Sequence, residues 1–366
     1  ELLVKAPYFL YLNIIYKTIK RFVFFSKYCC AISKDFYIIL LLSHKFQAMR
    51  QILVSGSTAY DTHLKYAWDF SKYFLSDIES WLNLSLVASE YERHNGWTGA
   101  NIAYNLALLW EHAILLSAIG EDFTYEGTIK EKCNLKYIHK NNFLPSANSF
   151  IFSDSEDHRM TLFHPGVSKE ASASKISFVQ EDIWIAIVSA NHIPTMLEHA
   201  RELKARNIPF FADPAQQITQ MTHDELRELV NLADYLILNH HELRDLQSIS
   251  WFTEEDLVEK LSVVIVTYGD QGSQLLELGS MIHIPAIAVE PLEDTTGAGD
   301  AYRAWVLKAR IEGYDWKTAC QLWTLLASYC IITEGAQNHH FSSSLVGEDM
   351  QKYFGVEIDL YNKRKY

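Results

Sequence analysis

One stretch late in the chain, Asp294-Thr295-Thr296-Gly297-Ala298-Gly299-Asp300-Ala301-Tyr302, holds the side chains and backbone features that phosphoryl transfer needs. Gly297 and Gly299 precede an apolar, helix-like run, and a helix N-terminus presents unpaired N–H groups and the positive end of its dipole. Without Cβ atoms these glycines let an anion approach those N–H groups closely. Asp300 then falls in the first helical turn, where a carboxylate could take the proton of an attacking hydroxyl. A cradle of Gly297, Ala298 and Gly299 beside a base is what transfer of a phosphoryl group to an alcohol requires. A glycine turn before an Asp-capped helix would be written with the same letters, so the motif needs company. The chain contains no G-x-x-x-x-G-K-[ST], which excludes a P-loop.

Further candidates lie at the ends of apolar runs. Asn239 and Glu242 follow Tyr235–Leu238 and are spaced to share one face of a helical turn. Glu242 could orient the waters of a magnesium ion, which takes few protein ligands directly; a capped helix start is the structural alternative. Thr267 ends another apolar run before a turn with Gly269 and Gly272, which by itself reads as a hairpin. Asp61, placed at the turn after the first strand, could accept two hydroxyl hydrogen bonds from a sugar diol. Asn101 follows Gly96 in a helix's first turn and could bind a hydroxyl, and Asp213-Pro214 follows a further strand. Phe150, Phe152 and Phe163 could stack on a base or pack on one another. The fifteen histidines show no metal-ligand spacing.

These residues need a scaffold of alternating strands and helices. Strands are expected at Gln51–Ser55, Ala113–Ala118, Ile185–Ser189, Phe210–Ala212, Tyr235–Leu238 and Val263–Thr267. Helices are expected at Ala100–Leu109, Thr195–Ala205, Asp224–Leu232, Glu254–Leu261, Gly297–Glu312 and Lys317–Thr333. That order predicts an α/β fold with a doubly wound, mostly parallel sheet whose ligands lie at the carboxyl ends of the strands. Two stretches, about 62–95 and 148–165, alternate polar and apolar residues and predict antiparallel strands outside the main sheet. A formal net charge of −13 argues against a nucleic-acid partner. Five cysteines without metal spacing suit reduced thiols in the cytoplasm. Residues 1–48 differ from the rest, with seven Lys/Arg against two Asp/Glu, eleven Phe/Tyr and no glycine. Their apolar runs are too short to span a bilayer, which takes about 20 residues. Because Met49 directly precedes the first strand, residues 1–48 are expected to be upstream sequence or an unstructured extension, and 49–366 the folded domain.

Taken in order, the motifs resemble the ribokinase-like (PfkB) family of carbohydrate and nucleoside kinases over about residues 50–355. The carriers are I-L-V-S-G-S-T-A-Y-D (52–61), G-W-T-G-A-N-I-A-Y-N-L-A-L-L (96–109), N-H-H-E (239–242), V-I-V-T-Y-G-D-Q-G-S (264–273) and D-T-T-G-A-G-D-A-Y (294–302). The loop G-A-Q-N-H-H-F (335–341) resembles the bacterial adenosine-kinase-like branch. The resemblance implies a kinase that phosphorylates a primary hydroxyl of a nucleoside or sugar, adenosine favoured over ribose, with a small β-strand lid over the acceptor. It implies Asp300 as base, Gly297, Ala298 and Gly299 as anion hole, and Asn239, Glu242, Thr267, Gly269, Gly272 and Asn338 around ATP. Asp61, Gly96, Asn101 and Asp300 would meet the acceptor. Glu242 would reach Mg2+ through water, and Asp294 and Thr296 would lie by a monovalent cation such as K+. A lid edge could pair with a second copy of the chain; no membrane or nucleic acid is implied.

Tryptophan stands where the resemblance expects glycine at positions 68, 97, 110 and 305, and Trp323 is a further candidate, whereas Trp316 suits its place. An indole at a tight glycine site could cost several kcal/mol by overpacking or wrong backbone angles. UGA is read as tryptophan in some genetic codes and glycine in others, so Trp68, Trp97, Trp110 and Trp305 are expected to be glycines in the working protein. Taken as written, they would suit a catalytically silent ligand-binding protein of the same fold.

Overall fold

The computed structural model describes residues 50–67, 69, 87–156 and 158–358. Residues 1–49, Trp68 and most of the segment between the first two lid strands lie outside the described residues.

The strands are β1 (Arg50–Ser55), β2 (Ala59–Tyr66), β3 (Ala88–Gly96), β4 (Ile114–Leu116), β5 (Ala118–Gly120), β6 (His139–Asn141) and β7 (Ala147–Ser153). They continue with β8 (Arg159–His164), β9 (Asp182–Ser189), β10 (Phe210–Asp213), β11 (Tyr235–Asn239), β12 (Val263–Thr267), β13 (Ser273–Glu277) and β14 (Ser280–Ile284). The helices are α1 (Thr98–Leu108), α2 (Gly127–Lys132), α3 (Ile193–Ala205), α4 (His223–Leu232) and α5 (His240–Ser250). α6 (Glu254–Lys260), α7 (Ala298–Ile311), α8 (Trp316–Cys330) and α9 (Ser343–Phe354) complete them.

The main sheet runs β14-β13-β12-β11-β10-β9-β1-β4, parallel from β12 to β4 and antiparallel at β13 and β14. Its strands read as unbroken apolar runs because helices cover both faces. Ile52 and Val54 enter one core and Leu53 the other; Ile185 and Ile187 face one side, Ala186 and Val188 the opposite. Strand order reverses beside β1, so the loops after β1 and β9 border a crevice. There Ser57 N–H donates to Ala190 O at 3.1 Å, and Gly99 N–H donates to Ser57 O at 3.0 Å. This close crossing needs two glycines: a Cβ at Gly56 would lie 2.7 Å from the Cα of Gly99.

The expected lid is a second sheet, β3-β2-β7-β8. It differs from the purely antiparallel expectation, since β2 and β7 run parallel, with Asp61 beside Ser149. Asp61 is therefore inside β2, not in a turn closing β1. The expected strand 113–118 divides: β4 joins the main sheet, while β5 pairs with β6. α9 and the β13–β14 hairpin were not foreseen. Among the described residues, no helix is long and apolar enough to cross a membrane.

Helix ends expose a pattern in the tryptophans. After α1, Trp110 has φ 59°, with its N–H on Ala107 O and the N–H of Glu111 on Leu106 O. The same paired bonds close α3 at Asn207 (φ 54°) and α7 at Gly313 (φ 79°). α5 ends on Trp251, also left-handed at φ 60°, a position the sequence reading did not flag. A left-handed helix terminus is where glycine or asparagine belongs. Trp305 differs: it is interior to α7, fully buried, and its indole N–H meets no acceptor among the described residues.

Candidate active site

The N-termini of α1 and α7 meet at the crevice. Gly297 caps α7 with φ 81°, and a Cβ there would stand 2.4 Å from the Cβ of Ala336. Asp300 N–H and Ala301 N–H both donate to Gly297 O, which starts the helix and turns the Asp300 side chain inward. Asp300 is 9% exposed; burial pushes its carboxyl up to about 7, opposed by Arg303 and the Asn101 amide and reinforced by Asp213 and Asp61. Asn101 Nδ2 donates to Asp300 Oδ2 at 2.8 Å. A buried carboxyl poised near neutrality is suited to take and return a proton. In the segment expected to cradle an anion, Ala298 N–H donates back to Thr295 O at 3.3 Å, a long turn bond.

Arg303, one turn beyond Asp300, was missed from the sequence. Its Nη2 lies 2.6 Å from Asp213 Oδ1 and 4.0 Å from Glu242 Oε2, and the side chain is almost wholly buried. Ser189 Oγ donates to Asp213 Oδ2 at 2.6 Å, and burial raises the Asp213 carboxyl to about 6 against the pull of Arg303. An arginine inside an otherwise buried helical face was the available signal, since such a charge stays buried only with partners.

The nucleotide-side candidates gather at the ends of β11 and β12, where Asn239 and Thr267 are register partners. Asn239 and Glu242 form a capping box: Glu242 Oε2 accepts from Asn239 N–H at 2.8 Å, and Asn239 Oδ1 accepts from Glu242 N–H at 2.9 Å. The structural alternative is thus realised, while Glu242 still faces Arg303. Likewise Thr267 pairs with Ser273 in a true hairpin, with Gly269 (φ 60°) and Gly272 (φ 88°) in its turn. The ring of His240 stacks on Tyr268 with centroids 5.5 Å apart, joining the two loops.

Asp294 ties two loops. Its carboxylate accepts from Thr296 N–H (2.9 Å) and Gly335 N–H (3.1 Å); burial opposes its charge, but these donors hold its pKa below the ordinary value. Thr296 O accepts from the Cys330 thiol at 3.6 Å. Asn338 is exposed and donates to Glu334 O at 2.8 Å across the turn at Gly335. A cavity of 660 Å³ opens between this loop and the lid, lined by Tyr60, Arg93, His94, Asn95, Gln337 and Asn338 among others.

On the acceptor side, burial raises Asp61 to about 6, partly offset by the Trp97 indole and His94. Trp97 Nε1 donates to Asp61 Oδ1 at 3.1 Å, and its ring stacks on Phe163 at 4.4 Å. Phe163 thus meets Trp97, while Phe150 and Phe152 are half-buried in β7. Gly96 packs against Asp61, where a Cβ would stand 2.2 Å from Oδ2. Asn101 is bonded to Asp300, and the Asp61 carboxylate is near enough to raise the Asp300 pKa.

Comparison with known proteins agrees with the fold. A nucleoside kinase of Methanocaldococcus jannaschii is 28% identical over 276 residues, 74% of this chain and 90% of that protein. A ribokinase of Bacillus subtilis is 23% identical over 303 residues, 79% of this chain and 95% of its own. The structure of Burkholderia thailandensis nucleoside kinase with inosine superposes with a TM-score of 0.75 at 26% identity, covering 84% of this chain and 99% of that one. Its form with ADP and inosine gives 0.73 at 27% identity, covering 84% and 97%. The profile of the pfkB family carbohydrate kinases matches residues 67–342, and the chain belongs to that family.

Proposed function

We propose that this protein is an ATP-dependent kinase that phosphorylates a primary hydroxyl of a nucleoside, with adenosine the favoured acceptor and ribose or another sugar the alternative. The observation that carries the reading is Asp300: a buried carboxyl poised near neutral pH, at a glycine-capped helix N-terminus and bonded to Asn101. The Burkholderia nucleoside kinase, similar along nearly its whole length, holds inosine and ADP, which favours a nucleoside over a free sugar.

In this reading Asp300 accepts the proton of the acceptor hydroxyl as its oxygen attacks the γ-phosphorus. The new O–P bond forms as the bond to the β-phosphate oxygen breaks and ADP leaves. The N–H groups of Gly297 and Gly299, with Ala298 once its turn bond opens, would meet the charge that grows on the transferring oxygens. Thr267, Gly269, Gly272, Asn239 and Asn338 would border ATP. Magnesium would neutralise phosphate charge, and the carboxylate of Glu242, which keeps acceptor capacity beyond its cap, fits a role in orienting the metal's waters. For Asp294 both carboxylate oxygens are engaged as a loop tie, so a part for it and Thr296 beside K+ would use spare lone pairs and backbone oxygens.

One observation favours a second reading. The Trp97 indole N–H donates to Asp61 Oδ1 in the lid, where an acceptor diol would bond. With tryptophan there, the chain would bind nucleotide and leave acceptors untouched. ADP release measured with adenosine, inosine and ribose separates the readings. Turnover abolished by Asp300→Asn supports the kinase. ATP binding with no turnover on any acceptor supports the silent protein.

A further inference from the structure

We propose that Gln337 is a positioning residue for Asp300, acting through Asn101 to keep the Asn101 amide turned toward the carboxylate. The inference deepens the kinase reading, and its first test does not depend on that reading. Gln337 Nε2 donates to Asn101 Oδ1 at 2.8 Å, and Asn101 Nδ2 donates to Asp300 Oδ2 at 2.8 Å. The orientation follows from the carboxylate. Ionised Asp300 can only accept, so Asn101 presents its NH2 there, which leaves its carbonyl oxygen for a donor. Gln337 is that donor. A second strut holds the backbone: Asn105 Nδ2 donates to Asn101 O at 2.9 Å, and Asn105 Oδ1 bonds His339 Nε2 at 2.8 Å. Burial lowers His339 to about 4, so its ring is neutral and Nε2 carries the proton that Asn105 accepts. The loop 335–340 thus reaches the carboxylate through two amides of α1. Other charged or titratable groups facing Asp300 are Arg303 on its own helix, Asp213 at the end of β10, Asp61 in the lid and Cys330 at the end of α8.

The test is the carboxyl 13C titration of Asp300 in the full chain, assigned by its loss in Asp300→Asn. Gln337→Met keeps the side-chain length and removes the donor, freeing Asn101 to rotate; the Asp300 midpoint should rise. Gln337→Glu replaces the donor by an acceptor, turning the Asn101 NH2 away from Asp300; the midpoint should rise by about one unit, a tenfold change in acidity. The methionine variant separates orientation from the added charge. In an Asn101→Leu background the 337 substitutions should move the midpoint no further, apart from the charge effect of glutamate. Equal midpoints for the native chain and Gln337→Met, or a methionine shift that persists without Asn101, overturn the proposal. If the chain phosphorylates an acceptor, the acid limb of kcat moves in step with the NMR midpoint. If it phosphorylates none, the kinase reading fails while the midpoints still decide the relay.

A second inference rests on backbone angles. We infer that positions 97, 110 and 251 are glycine positions, and that the working protein carries glycine there. Five non-glycine residues among those described have positive φ: Trp97, Trp110, Asn207, Ala215 and Trp251. Three are tryptophans, a residue with no local means of stabilising that conformation. Trp97, at φ 75° and ψ 156°, lies in a region populated almost solely by glycine. Trp305 and Trp68 contribute nothing to this argument, one being helical and the other undescribed. Peptide mass spectrometry of the protein isolated from its natural source reads these positions directly. Glycine at all three supports the inference; tryptophan at Trp97 overturns it where it matters for the acceptor.

Discussion

Two helices start at the candidate site on residues with positive φ. α7 begins after Gly297 at φ 81°, α1 after Trp97 at φ 75°. Both caps aim a helix N-terminus at the crevice, and their first turns touch through Asp300 and Asn101. At α7 the glycine leaves the backbone open and lets loop 335–340 approach. At α1 the N–H groups of Gly99 and Ala100 already donate to Ser57 O, and the Trp97 indole takes an oxygen of Asp61. One helix starts on a glycine with no side chain at its cap, and the other on a tryptophan whose ring lies against Phe163. If Asp61 meets the acceptor, the difference between the two helix starts concerns the acceptor side and not the α7 cap.

The largest expected effect is Asp300→Asn. Loss of the base should lower turnover by roughly 10²–10⁴-fold with the fold unchanged. The native protein should gain activity as pH rises through about 7, where the carboxyl ionises. Stability runs the other way. The folded pKa lies above the unfolded value, so the contribution is present below about pH 4 and lost as pH rises through 7. Asp300→Asn should therefore raise Tm at pH 8 more than at pH 4. A variant that keeps more than a few per cent of the rate removes Asp300 from the mechanism.

Gly297→Ala probes the intact cap. A left-handed backbone and a Cβ 2.4 Å from that of Ala336 together should cost about 2–4 kcal/mol. Nucleotide affinity should fall with it, since the cradle must shift. Equal stability and equal ADP binding by calorimetry would show that the two caps are not comparable.

The reverse exchange, Trp97→Gly, should relieve strain and free Asp61. The acceptor KM should fall at least roughly tenfold, in keeping with about 1.5–3 kcal/mol for a hydrogen bond to a charged group. ATP affinity should not change. An acceptor KM that stays put would mean that the indole yields freely to substrate.

How much of this could be read in the sequence depends on the range of the interaction. The strands around Val54, Ile187 and Ile265 were legible because burial on both faces produces unbroken apolar runs. Asp300 was legible because a glycine turn and a helix's first turn are local. Asp61 was misplaced because the boundary between a turn and β2 is set by pairing with β3 and β7, far along the chain. The capping role of Glu242 was visible as an alternative, and proved compatible with its place beside Arg303. Gln337 was not legible, since its partner Asn101 is separated by 236 residues. Trp251 escaped notice because it follows no motif; only its φ reveals it.

The smallest expected effects come from the helix ends, and they test whether Trp97 is one instance of a general exchange. Trp251 is 74% exposed and touches His223, so little packing is lost when its indole goes, whereas Trp110, 37% exposed, loses more. Both backbones are left-handed, as at Gly313 and Gly355, which close α7 and α9 with glycine. Trp251→Gly should stabilise the fold by about 1 kcal/mol through relief of αL strain that glycine does not suffer, and Trp110→Gly by less, since lost packing offsets part of that relief. Trp316, whose ring packs on Phe211 and Tyr235, supplies the contrast: Trp316→Gly should destabilise by about 3 kcal/mol or more. Urea midpoints of the three variants decide the matter. A stabilising sign at 110 and 251 with a destabilising one at 316 sorts the tryptophans into two populations by backbone angle. Destabilisation at all three would return Trp97 to the status of a genuine cap, and the filled acceptor site to a property of the protein.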